Sequence, residues 1–180
     1  MLSEQELISK LKSADAKQEA FRELLKQYKE RLYWHIRKIV LNHDDADDVL
    51  QNTFIKIYNN INSFKEESKL YSWMYRIATN EAITFLNLKA KRNNNTLENE
   101  KDFALNQLEA DVYFEGDAIQ LKLQKAIASL PEKQQLVFNM KYFDDLTYEE
   151  LSEILETSVG ALKASYHLAV KKITALLTED

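Results

Sequence analysis

Arg76, Asn80 and Thr84 stand four residues apart, so on a helix they lie one turn above another along a single polar stripe. Arginine and asparagine are the side chains best suited to hydrogen-bond base edges and phosphates. The stretch ends in Lys89, Lys91 and Arg92, and it follows a polar loop, residues 62–69, that carries Phe64 and Lys69. Aromatic rings beside such a loop can stack on unpaired bases, each contact being worth about 1–3 kcal/mol. The chemistry on offer is recognition of nucleic acid by phosphate contact, base-edge hydrogen bonding and stacking. Catalysis is not expected: no carboxylate pair, no nucleophile beside a base and no phosphate-cradling loop stands out. The chain has no Cys and three scattered His, so no metal or other cofactor is expected.

Upstream, Asp44-Asp45-Ala46-Asp47-Asp48 opens another helical pattern. Asp44 is expected to cap it, with the other carboxylates favoured by the positive end of the helix dipole. Val49, Leu50, Thr53, Phe54, Ile57 and Ile61 then point one way, and Asp48, Gln51, Asn52 and Ile55 the other. A merely solvated face carries Lys and Glu and avoids Ile. The exposed Ile among Asp, Gln and Asn predicts a protein partner.

The elements that must position these groups are helices. Two Gly and one Pro in 180 residues are too few for the tight turns of an all-β fold. Ser3 and Glu6 read as a capping box opening a short helix with Leu7, Ile8 and Leu11 inward. Asp15 is expected to cap a long helix running to about Leu41, with Ala20, Phe21, Leu24, Leu25, Tyr28, Leu32, Ile36, Ile39 and Val40 at helical spacing. Ser68 is expected to cap the helix of Arg76. Its apolar positions are Leu70, Trp73, Met74, Ile77, Ala78, Ile83 and Leu86, and Trp73 reads as core rather than as a stacking ring.

Charge divides the chain. Residues 1–92 carry 16 basic against 13 acidic groups, residues 93–117 carry 1 against 7, and residues 118–180 carry 7 against 9. This predicts two small helical domains joined by a flexible acidic linker, 93–117, with at most a short helix around Phe103–Leu108. No apolar run approaches a membrane span and the N-terminus lacks a secretory pattern, so a cytoplasmic protein is expected.

In 118–180, Ile119, Leu121, Leu123, Ile127 and Leu130 belong to a first helix, and Pro131 begins a second with Leu136, Val137, Met140 and Tyr142. Thr147 and Glu150 form a capping box, with Leu146 and Leu151 as the hydrophobic staple. Ser158 caps a final long helix whose inward residues are Val159, Leu162, Tyr166, Ala169, Val170, Ile173 and Leu177. The short connection between these last two helices has helix-turn-helix spacing, which a plain αα-hairpin shares.

Taken together, the two halves resemble the small two-domain sigma factors of bacterial RNA polymerase, the extracytoplasmic-function (ECF) group of the sigma-70 family. The region 2 pattern is seen in Asp45-Ala-Asp-Asp48-Val-Leu-Gln51-Asn-Thr-Phe54, and in Phe64 followed by Trp73-Met-Tyr-Arg76-Ile-Ala-Thr-Asn80. The region 4 pattern is seen in Leu130-Pro-Glu-Lys-Gln-Gln-Leu-Val-Phe138, Leu146-Thr-Tyr-Glu-Glu-Leu151 and Thr157-Ser-Val-Gly-Ala-Leu-Lys163. The resemblance implies that Asp48, Gln51, Asn52 and Ile55 dock on core polymerase. It implies that Phe64, Lys69, Arg76, Asn80 and Thr84 contact the −10 element and promote melting. It places Ser158, Gly160, Lys163, Ala164, His167 and Lys171 at the −35 element. Core polymerase, promoter DNA and an anti-sigma factor are the implied partners, with no small-molecule substrate.

The sequence departs from the family where members often carry Asp at the position of Thr84, Gly at that of Glu156, and Arg where this chain has Ser165, Leu168 and Val170. Two other readings share the helix-turn-helix signal. One is a stand-alone transcriptional regulator with a ligand-binding N-terminal half. The other is a sigma-like adaptor that docks on proteins without binding DNA.

Overall fold

The computed structural model describes residues 2–108 and 118–179. Residues 109–117 of the expected linker, including Asp117 near the expected start of the second half, lie outside the described residues. Among the described residues the regular structure is helical: α1 (Glu4–Lys12), α2 (Lys17–Val40), α3 (His43–Asn60), a 3-10 turn (Ile61–Ser63), α4 (Leu70–Arg92), α5 (Leu97–Gln107), α6 (Ala118–Ala128), α7 (Glu132–Tyr142), α8 (Tyr148–Leu155) and α9 (Val159–Thr178). The all-α expectation is met.

In the N-terminal half α2, α3 and α4 pack on one another, with α1 against α2. Their apolar stripes meet as the periodicity requires: Leu24, Leu32, Ile36, Val49, Ile57, Met74 and Ala78 are buried. Burying a side chain of Leu or Ile size contributes about 1.5–3 kcal/mol, which outweighs the modest terms from caps. Phe21 on α2 meets Phe54 and Tyr58 of α3 edge to face, with ring centroids 6.1 and 5.0 Å apart.

Three expected caps are corrected. Asn42, not Asp44, caps α3, its side-chain oxygen accepting from the Asp45 N–H at 2.9 Å. Asp44 and Asp45 instead occupy the first turn, where the dipole favours them. Helix α2 starts after Ala16 with no side-chain cap, so Asp15 does not serve. Helix α4 starts after Lys69, not Ser68, and the first N–H, that of Leu70, donates to Glu4 Oε1 at 3.2 Å. A long-range carboxylate has taken the role that a local hydroxyl was expected to fill. The capping boxes Ser3/Glu6 and Thr147/Glu150, and the Ser158 cap, form as expected.

The C-terminal half packs α7, α8 and α6 against α9. Val170, expected inward, is 37 % exposed, whereas Leu162, Ala169 and Ile173 are buried. The stripe is the narrower one set by those three residues. The region after Arg92 is more ordered than a plain tether: α5 packs on α4, and Leu108 is buried. Asn93 and Asn95 both donate to the Glu100 carboxylate, at 2.8 and 3.3 Å, and these bonds hold its pKa below the ordinary value despite opposing desolvation.

The two halves share one apolar core. Leu136, Val137, Met140, Leu146, Leu151, Ile154 and Leu162 join the cluster built by α1 to α4. The contact runs chiefly through α8 on α4, with α7 on α2.

Candidate nucleic-acid interface

Arg76, Asn80 and Thr84 are all exposed on one side of α4, while Met74, Tyr75, Ala78, Thr79 and Ala82 are buried behind them. The backing is polar as well as apolar. The Thr79 hydroxyl donates to the Tyr75 carbonyl at 2.7 Å and pairs with His35 Nε2 at 2.8 Å. Arg31 Nε donates to the Tyr75 hydroxyl at 3.1 Å. Burial drives the Tyr75 pKa well upward, so the phenol stays neutral and can accept that bond. These bonds tie α4 to α2 from behind and fix the rotation of α4 about its axis, and with it the direction of the stripe.

The loop before α4 is held by α1. Lys12 Nζ donates to the Phe64 carbonyl at 2.9 Å and to Glu66 Oε1 at 2.6 Å. Glu66 has a positive φ of 61°, a conformation that costs a non-glycine residue about 1–2 kcal/mol, and the Lys12 contact helps offset it. The periodicity of α1 gave no hint of this role, because Lys12 reads as an ordinary basic residue in a last turn.

Phe64 itself is only 3 % exposed and lies against Trp73 with ring centroids 5.1 Å apart. In this conformation the Phe64 ring is part of the core and no base can stack on it. The reason is the apolar hollow between the 3-10 turn and α4, which outcompetes solvent for the ring. Trp73 is half-buried, in keeping with its core reading. Lys69 is exposed at the head of α4.

On α3, Asp48, Gln51, Asn52 and Ile55 are exposed together, Ile55 at 53 %. Asp48, Gln51 and Ile55 line one open groove of about 890 Å³ between α2 and α3, whose floor includes Phe21 and Phe54. Sequence reasoning missed the α2 side of this groove, Arg22 and Leu25, because only packing shows that α2 turns that edge toward α3.

On the far half, α8 and α9 are joined through Glu156–Ser158, with Glu156 left-handed at φ 51°. Gly160, Lys163, Ala164, His167 and Lys171 are exposed along α9, and Ser158 accepts from the Ala161 N–H at 3.3 Å. Beyond its chain neighbours and the helix's own backbone, no heavy atom lies within 4 Å of where a Gly160 Cβ would sit. Lys163 Nζ stands 5.6 Å from the Tyr148 ring centroid. The N-terminal part of α9 is therefore open for approach to a groove. Leu168, 47 % exposed, and Val170 continue that surface as apolar rather than cationic.

The N-terminal part of α4 meets α8 and the turn before α9. Lys69 Nζ donates to Glu150 Oε1 at 2.9 Å, and the Tyr71 hydroxyl donates to the same oxygen. Arg76 is in direct contact with the Glu156 carboxylate. Desolvation pulls the Glu150 pKa upward, but hydrogen bonds from Tyr71, Thr147 and Lys69 prevail and hold it down at about 2. Burial and the bond to Glu150 push Tyr71 up to about 12. Below these pairs Asp144, 6 % exposed at its side chain, takes Lys38 Nζ at 2.7 Å and faces His35 Nδ1 at 3.5 Å. Burial alone would raise the Asp144 pKa; the His35 and Lys38 contacts prevail and hold it low. In the sequence Glu150 is legible only as a capping residue, and nothing marks Asp144 or Glu156 as partners of the first half.

Among the described residues no helix is long and apolar enough to cross a membrane.

Both halves of the chain match known protein families. The family model for sigma-70 region 2 matches residues 24–92, and that for sigma-70 region 4 matches residues 120–173. The ECF RNA polymerase sigma factor SigW of Bacillus subtilis is 34% identical over 170 residues, covering 89% of each chain. An ECF RNA polymerase sigma-E factor from Haemophilus influenzae is 29% identical over 171 residues, covering 91% of this chain and 89% of that one. Among solved structures, CnrH in complex with the cytosolic domain of CnrY shares the fold with a TM-score of 0.71 at 21% identity, over 98% of each chain. The sigma factor RpoE of Bartonella quintana, solved with the anti-sigma factor NepR, gives a TM-score of 0.69 at 19% identity, over 89% of this chain and 98% of that one. With both halves matched in order and a relative of this identity along most of its length, the chain belongs to the ECF sigma factors of the sigma-70 family.

Proposed function

We propose that this ECF sigma factor docks on core RNA polymerase through the α3 face of Asp48, Gln51, Asn52 and Ile55, and opens promoters with the loop 62–69 and the stripe Arg76–Asn80–Thr84. Its α9 face, Ser158, Gly160, Lys163, Ala164, His167 and Lys171, meets the −35 element. The observation that carries this reading is the packing of α3 on α4, each with a polar face left exposed. One helix exposes an acidic and apolar face, the other a cationic and amide one, and a common core holds the two together. A polymerase bound to the first face leaves the second turned toward a strand being separated.

Phe64 enters the reading as a support for the loop, or as a ring exposed only when the loop rearranges on DNA. The α9 contact is modest. The helix offers Lys163, His167, Lys171 and Lys172, so its counterion-release term is small. Tethering within the polymerase complex supplies an effective concentration on the order of millimolar for linked sites.

An anti-sigma factor is the expected regulator, since RpoE was solved with the anti-sigma factor NepR. The protein carries out no chemistry of its own in this reading, and it acts in the cytoplasm with the polymerase. The test is co-elution with core polymerase: the wild-type chain binds, and Asp48→Arg, which puts like charge against a basic partner, weakens binding by about 1–3 kcal/mol. Unchanged affinity for the folded variant removes the α3 face from the reading.

A further inference from the structure

Helix α1 holds the segment before α4 at both ends. Lys12 Nζ, in the last turn of α1, donates to the Phe64 carbonyl at 2.9 Å and to Glu66 Oε1 at 2.6 Å. Glu4, in the first turn, accepts from the Leu70 N–H at 3.2 Å, at the head of α4. Residues 65–69 lie between these two anchors. We propose that α1 is a gauge for this loop: Glu4 and Lys12 are positioning residues that fix its shape, and that shape decides which base of the −10 strand it accepts. This rests on the reading that the loop 62–69 takes an unpaired base. The match to sigma-70 region 2 starts at residue 24, so α1 lies outside it.

The dimensions suit a gauge. Glu4 and Lys12 stand about 12 Å apart along α1, at 1.5 Å rise per residue. The chain from Phe64 to Leu70, fully extended, would bridge roughly 20 Å. Held at two points of one helix, the segment is short of full stretch and has to bend, and the left-handed Glu66, at φ 61°, lies within it. Lys65, Glu66, Glu67 and Lys69 are exposed, so the outer side of the bend is open to a strand. Its inner side is closed by the Phe64 ring, which lies against Trp73 with centroids 5.1 Å apart.

The two anchors are placed where stability alone does not require them. The Leu70 N–H is one of the amides that a helix start leaves without an internal partner, and a carboxylate there is favoured by the helix dipole. A side chain next in sequence would satisfy it equally well; Glu4 ties it to α1 instead. The Lys12–Glu66 pair is 30% and 51% exposed at its side chains, and such pairs contribute little to stability. Helix α1 is docked by Leu7, Ile8 and Leu11, all buried, so it stays in place when the polar anchors are removed. What the anchors supply is a loop whose shape is set before DNA arrives. Such a loop needs no ordering on binding, and it cannot reshape itself around a wrong base, whereas a loose loop adapts to several.

The experiment uses the full-length chain bound to core polymerase, with promoter templates already unpaired over the −10 element. Each unpaired position carries each of the four bases in turn, and affinity is read by fluorescence anisotropy. The parent should prefer one base at one position by about fivefold or more, the least expected of a base-edge contact. Glu4→Ala with Lys12→Met should bring that preference toward equality while preferences at other positions persist. Glu4→Gln with Lys12→Arg keeps an acceptor and a donor, and should keep the preference. A merely structural loss lowers affinity for all four bases alike and leaves their ratio as it was. An unchanged ratio in the Glu4→Ala, Lys12→Met variant therefore overturns the gauge, and so does an equal loss of preference at every position. Replacing residues 65–68 by glycine separates the two claims. Loss of preference in the glycine loop, with an unchanged ratio in the α1 variant, keeps the loop at the base and removes α1 from its selection. A preference that survives the glycine loop removes the loop itself from base recognition, and the gauge with it.

Discussion

Asn80→Ala separates recognition from folding more cleanly than any other change in the chain. Asn80 is exposed in the middle of α4 and, among the described residues, its side chain has no hydrogen-bond partner. Truncating it opens no cavity and orphans no buried group. Alanine also favours the helix over asparagine by up to about 0.7 kcal/mol. The variant should therefore be as stable as the parent, or slightly more so. If Asn80 makes a base-edge contact, its loss costs about 1–3 kcal/mol, which is a fall of roughly fivefold to 150-fold in the open-complex equilibrium. Core binding, proposed to run through the α3 face, should be unchanged. The assay is permanganate footprinting of unpaired thymines at equal occupancy by polymerase, with thermal melting of the free protein beside it. Equal melting of the promoter by variant and parent would refute the assignment of the stripe. Reduced thermal stability would show instead that Asn80 holds the fold in a way its exposure conceals.

Three further outcomes are expected. Lys12→Met removes both bonds that α1 makes to the loop; promoter opening should fall with core affinity intact, and Lys12→Arg should restore it, whereas unchanged opening would show that the loop needs no such hold. Lys163→Ala should lower the salt slope of duplex promoter binding by the polymerase complex by about 0.9, one phosphate contact, and an unaltered slope would remove Lys163 from the −35 surface. The pH dependence of the α8–α4 contact follows from Glu150 and Tyr71. Glu150, lowered from its ordinary 4.5 to about 2, contributes fully above 4.5, and its contribution disappears as pH falls through that window. Tyr71, raised from 10 to about 12, contributes fully below 10, and its contribution disappears as pH rises toward 12. Thermal stability of the free chain should be level between pH 4.5 and 10 and fall beyond either end, and a fall midway through that range would contradict the assignment.

Much of this fold was legible because its signals are local. The alternation of Val49, Leu50, Phe54 and Ile57 against Asp48, Gln51 and Ile55 depends only on helical geometry, and both faces stand where the spacing put them. The capping boxes are four-residue patterns and formed as read. What escaped was long-range. Glu4 capping α4, Lys12 bracing the loop, and Asp144, Glu150 and Glu156 meeting the first half all join residues at least 52 positions apart, and no periodicity encodes such pairs. Phe64 shows the limit in the other direction. Its place in a polar loop suggested exposure, but a single ring beside an apolar hollow is drawn in regardless of its neighbours' polarity. The boundary between modules was inferred from charge, which is blind to the apolar residues of α7 and α8 that complete the core of the first half.

In the proposed function this chain carries core polymerase to promoters and the exposed stripe of α4 opens them. The most direct measurement reconstitutes core polymerase with the full-length chain on a library of genomic fragments and maps unpaired bases by permanganate. Discrete melted segments upstream of new transcripts are expected, lost with Arg76→Ala and Asn80→Ala together while the polymerase remains bound to the chain. Polymerase binding without melting by the parent chain, or melting that survives in the double variant, would contradict it.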